Sequence, residues 1–192
     1  MNKGIHHCAA AAVLLTAMTA AGAASYTAIL TGPQEAPPNG SPGIGAAVVK
    51  FDPGSHVLEI NVAFSGLLTD TTVAHIHCCT AVADTGTAGV ATQVPTFGGF
   101  PAGVTHGAYS NIFDTSLPSS WNPTFLSTYG GSTAFAEAAF ENGLKGGLAY
   151  LNIHSTAYPS GEIRGFLTPV AAVVPEPEGY ALLGLGLPAI LL

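Results

Sequence analysis

The sequence predicts an all-β protein, an antiparallel Greek-key β-sandwich interrupted by one long irregular loop and one short helix. Three observations lead there. Residues 56 to 64 alternate, with Leu58, Ile60, Val62 and Phe64 on one face and Glu59 and Asn61 on the other, the period of a strand with one dry side and one wet side. Asp52-Pro53-Gly54 parts this segment from the apolar run Gly45 to Phe51; Pro presets φ and Gly permits positive φ, so the two runs read as a hairpin. The chain also holds 24 glycines and 14 prolines, with 8% of its residues charged and 48% hydrophobic, a composition of strands and turns that is too apolar for disorder.

The remaining elements follow in chain order. Residues 26 to 31 form a first strand that ends at Gly32-Pro33, and residues 72 to 79 a fourth strand after the hairpin. Residues 80 to 131 read as a long Gly, Thr, Pro and Ser-rich loop carrying Phe97, Phe100, Trp121 and Phe125, which either shape an apolar site or pack down as a lid. Residues 133 to 143 carry the helix, with Ser132 or Thr133 as N-cap and Gly143 as stop. Strands at 147 to 154 and 162 to 168 close the domain around Pro159-Ser160-Gly161.

The ends carry a different signature. Lys3, the apolar run from Cys8 to Met18 and the small residues Ala21-Gly22-Ala23 read as a cleaved signal peptide over residues 1 to 23. The β domain spans 24 to 168, followed by a linker and apolar tail at 169 to 192. Export places the chain in the periplasm, the cell envelope or the medium. Without Lys3, 3 basic residues face 11 acidic ones, a formal charge of −8, so nucleic acid is excluded as a partner for want of cations to neutralise phosphate. Cys78 and Cys79 are adjacent. Their Cα atoms stand about 3.8 Å apart across a trans peptide, less than the usual disulfide span, so no ordinary intramolecular disulfide is expected.

One set of residues can carry chemistry. Residues two apart on a strand share a face, so His75 and His77 can turn their imidazoles toward one ion, with His154 as third ligand and Cys79 on the same side as a further donor. Strand parity places them on the outer, wet face, where Asn152, Glu162 and Arg164 would form a supporting shell or a plain surface ion pair. Imidazole donors suit copper or zinc; the sequence requires no other cofactor. Glu35 can meet Arg164 if the first and last strands are neighbours. No Ser-His-Asp, Gly-x-Ser-x-Gly or phosphate-loop pattern is present, and no catalytic residue is assigned.

Leu30-Thr31-Gly32-Pro33-Gln34-Glu35-Ala36-Pro37-Pro38, His75-Ile76-His77, Tyr150-Leu151-Asn152-Ile153-His154 and Gly161-Glu162-Ile163-Arg164-Gly165 together resemble the CHRD domain family, first described in chordin and widespread in exported bacterial proteins. The resemblance implies an extracellular β domain over residues 26 to 168. The His-x-His pair with a distant histidine is similar in arrangement to the copper site of Cu/Zn superoxide dismutase, an analogy that carries no activity with it. Val174-Pro175-Glu176-Pro177 before an apolar segment looks like a PEP-CTERM sorting tail, which implies exosortase-type machinery as a partner, although the basic cluster that normally ends such a tail is missing. The expected function is a non-enzymatic module that binds an extracellular matrix or surface component; the alternative is a copper or zinc-binding, or redox, protein built on His75, His77 and His154.

Overall fold

A computed structural model describes residues 22–171; the leader up to residue 21 and the sorting tail from residue 172, both read from the sequence, lie outside them. The all-β class holds. Strands β1 (Ala24–Thr31), β2 (Ile44–Asp52), β3 (Val57–Ser65), β4 (Thr71–His77), β5 (Gly107–Asp114), β6 (Tyr150–Ser155) and β7 (Ile163–Phe166) form one antiparallel sheet in the order β4-β6-β7-β1-β2-β3-β5, curled into a half-barrel, and a two-residue β8 (Thr168–Pro169) pairs with β1. Between β5 and β6 stand helices α1 (Pro123–Thr128) and α2 (Thr133–Lys145).

The β2–β3 hairpin follows from its turn: Asp52 Oδ1 accepts the backbone N–H groups of Gly54 and Ser55, and the strands then pair from Asp52↔Val57 to Ile44↔Ser65 without a slip. That register sends Val49, Phe51, Leu58, Ile60, Val62 and Phe64 inward, all buried, and leaves Glu59 and Asn61 half-buried on the outer face. A one-residue slip would exchange the two sets.

Trp121, Phe125 and Phe140 fill the concave side, with Phe51 edge-on to Phe140 and Trp121 stacked on Phe125. Phe97, Phe100, Trp121 and Phe125 are all buried, so the aromatics of the long segment pack down as a lid. Burial of each such side chain contributes about 1.5–3 kcal/mol.

The structure corrects the sequence reading at four places. The segment expected to be a loop contains β5 and α1: Tyr109 and Phe113 face in while Ala108, Ser110 and Ile112 face out along β3, a period-two signal obscured by the Gly, Ser and Thr around it. Helix α2 runs through Gly143 to Lys145 and stops at Gly146. The last long strand begins at Tyr150, because Gly147, at φ 67°, belongs to the turn after α2. Cys78 and Cys79 do form a disulfide; a cis peptide joins them and brings their Cα atoms to 3.0 Å, an isomer that the trans-peptide distance did not cover.

Candidate metal centre

The site is built on the side-by-side strands β4 and β6. In the pairing His75↔Asn152 and His77↔Tyr150, with β7 beyond at Asn152↔Arg164, His75, His77 and His154 come to one level of the sheet. Ala74, Ile76, Leu151 and Ile153 pack into the core, so strand parity turns the histidines to the opposite side. That side is not wet. His75, His77 and His154 are 5%, 8% and 8% exposed, and Asn152, Glu162 and Arg164 are buried with them. The chain after β4 runs back along its free edge, with Cys78 N–H donating to the Gly89 carbonyl, Ala91 N–H to Ile76 and Phe97 N–H to Ala74, and the turn between β6 and β7 covers the rest.

That cover decides the chemistry of the imidazoles. His75 Nε2 donates to the Pro95 carbonyl at 2.6 Å, His77 Nδ1 to Ala88 at 2.9 Å and His154 Nδ1 to Pro159 at 2.8 Å. A carbonyl can only accept, so each bond fixes the proton on one ring nitrogen and leaves a lone pair on the other. The three remaining nitrogens, His75 Nδ1, His77 Nε2 and His154 Nε2, are buried without a partner, and the ligand atoms of the cluster lie within 4.8 Å of one another. Burial, which disfavours the charged ring, depresses the pKa of all three, that of His77 to about 4, against the carbonyl bonds that pull upward. At neutral pH the site is three uncharged imidazoles with lone pairs turned toward one another.

The supporting residues are placed differently from the sequence expectation. Glu162 and Arg164 form no surface ion pair. Glu162 is fully buried and accepts from Ser41 Oγ and Leu68 N–H, both at 2.6 Å. Arg164 donates from Nε to the Gln34 carbonyl and stands 3.9 Å from Glu35 Oε2, because β1 pairs with β7 at Thr31↔Arg164. Burial raises the Glu35 pKa to about 7 against the pull of Arg164. Arg164 also lies over the Tyr150 ring at 4.7 Å, and Tyr150 stacks on His77. Cys79 is not at the site: oxidised to a disulfide, it lines an open cleft of about 600 Å³ with Tyr129, Phe135 and Leu148 beside α2.

Two residues escaped sequence reasoning. Tyr150 looks like a core aromatic, and only its pairing with His77 makes it part of the site. Gly161, at φ 131°, holds a backbone conformation that other residues adopt only with strain, and a Cβ there would stand 2.5–2.7 Å from Asn152 and Glu35 side-chain atoms and displace them; its place in the Gly161-Glu162-Ile163-Arg164-Gly165 segment was the available signal.

The family profile of the CHRD domain matches residues 26–167, from the third residue of β1 to the residue after β7. The chain belongs to the CHRD domain family. The match takes in β2 to β7 and most of β1, with the three histidines and the Glu35–Arg164 pair of this CHRD domain. Comparison with curated proteins and with solved structures finds no match.

Proposed function

We propose that this chain is an exported protein whose CHRD domain holds a copper or zinc ion on His75, His77 and His154. One observation carries the reading: three buried imidazoles, each anchored through one nitrogen to a backbone carbonyl, bring their three partnerless nitrogens together. A buried polar atom without a hydrogen bond costs about 1–3 kcal/mol, and three of them at one spot cost a sizeable share of a typical net stability of about 5–15 kcal/mol. An ion bonded to all three removes that cost. The carbonyl bonds supply the outer-shell anchoring that orients metal-ligating histidines. Family membership supports an extracellular setting; the leader at 1 to 23 and the exosortase-type handling of the tail at 169 to 192 are part of the same proposal.

Elemental analysis of tag-free protein purified from the periplasm or medium tests it. About one equivalent of copper or zinc per chain is expected, falling to background in His154→Ala with the fold intact by circular dichroism. Wild-type protein that neither carries nor takes up either ion overturns it.

A second reading, attachment to a matrix or surface component, is favoured by the outer face of the sheet, where Ile29, Ile44 and Val48 are exposed on the neighbouring strands β1 and β2 and Ile112 is exposed on β5 beyond β3. Apolar residues grouped on one face mark interaction surfaces more often than scattered ones do. Charge substitution at Val48 and Ile112, followed by retention on native matrix, tests this reading without touching the histidines.

A further inference from the structure

Resting on the metal reading above, we infer that the three-histidine site is built for cuprous copper in preference to zinc or cupric copper. Every donor in the cluster is a neutral imidazole; among the described residues no carboxylate or thiolate joins it, and Cys79, the thiol nearest in sequence, is tied up in the disulfide with Cys78. Arg164, over the far face of the stacked Tyr150 ring, adds a positive charge that acts on His77 and is paired with Glu35 at 3.9 Å. A cation placed here brings its whole charge into a poorly polarisable pocket. The Born cost of doing so grows with the square of the charge, so a divalent ion costs about four times as much as a monovalent one. Nothing in the ligand shell offsets that difference.

Coordination number points the same way. Three nitrogens bound at about 2.0 Å around one centre stand roughly 3.5 Å apart, and the ligand atoms of the cluster already lie within 4.8 Å of one another. Zinc in proteins is almost always four-coordinate, and cupric copper favours tetragonal sets of nitrogen and oxygen donors. Among the described residues the cluster offers no fourth side chain, and histidines at most 8% exposed leave little room for water to supply one. Cuprous copper, a closed-shell ion of single charge, is satisfied by three nitrogens.

The experiment uses the full chain, oxidised at Cys78–Cys79 and free of tags, titrated in separate arms with Cu(I) under anaerobic conditions against a colorimetric cuprous chelator, with Cu(II) and with Zn(II). The affinity assigned to the site is the part lost in His154→Ala, with His154→Gln as a second variant should the first fail to fold. We expect His154-dependent Cu(I) binding at least a hundredfold tighter than that of either divalent ion. Against Cu(II) this corresponds to a reduction potential raised by about 120 mV over the free couple, at 59 mV per tenfold for one electron. Zinc or Cu(II) bound as tightly as Cu(I), still dependent on His154, overturns the cuprous preference and leaves the metal reading standing. No His154-dependent binding in any arm overturns both.

Discussion

The Tyr150 ring lies flat against His77, centroids 4.7 Å apart and planes within 4°, and its hydroxyl sits on both backbone polar groups of Ala88, the residue whose carbonyl also receives the His77 Nδ1 proton. One side chain thus braces a candidate ligand by stacking and, through Ala88, by holding the carbonyl that sets the ligand's tautomer. Tyr150→Phe removes only the second contribution and should cost about 1 kcal/mol. Tyr150→Leu removes both and should cost about 2–4 kcal/mol, as aromatic truncations in packed sites do. Urea denaturation of the two variants measures the difference, and metal affinity should fall in the same order.

The buried histidines make the metal-free protein acid-sensitive. Their folded pKa values lie below the ordinary value, that of His77 at about 4, so between about pH 6.5 and 4 the unfolded chain binds protons that the folded chain refuses. Stability is therefore fully present above pH 6.5 and is lost as pH falls toward 4, with His77 alone contributing on the order of 3 kcal/mol of the change. Chemical denaturation of the apo protein at a series of pH values should show this slope, and His77→Gln should flatten it.

The Cys78–Cys79 disulfide leans on helix α2 at Gly143, where a Cβ would land on both sulfurs. Alanine ordinarily stabilises a helix relative to glycine by about 1 kcal/mol. Here Gly143→Ala should instead destabilise, by about 1–3 kcal/mol, the range of overpacked sites, and thermal unfolding decides the sign.

His56 turns the β2–β3 hairpin at φ 58° and bonds through Nδ1 to Glu137 of α2 at 2.9 Å, while Glu137 also accepts from Thr115. The bond to Glu137 makes His56 a latch between hairpin and helix. The hydrogen bond and charge of Glu137 raise the His56 pKa, so its contribution is present below about pH 6.5 and fades as pH rises through the folded value. In Glu137→Gln, the His56 titration followed by NMR should move down toward about 6.5.

The strands other than β5, and the face on which each of their side chains falls, were legible in the order of residues because backbone geometry alone dictates them. Val49, Phe51, Leu58, Ile60, Val62 and Phe64 fall inward by the two-residue period and by a turn that locks the register, and the same parity puts His75 and His77 on one face whatever surrounds them. Parity says which way a side chain points and nothing of what lies there. Whether that face meets water depended on the segment after β4 returning along its edge to set Ala88 and Pro95 carbonyls over the rings, and on Pro159 closing the other side. Those contacts are 5 to 20 residues away in sequence and leave no periodic trace. The pairing of β4 with β6, which brings His154 to the other two from 77 residues downstream of His77, and of β1 with β7, which sets Glu35 beside Arg164, was likewise decided only by tertiary structure, because register between distant strands is selected by the packing of the whole sheet. Burial then turned three ordinary histidines into neutral, oriented donors, an outcome of the local dielectric and hydrogen bonding that exists only once the chain has closed over them.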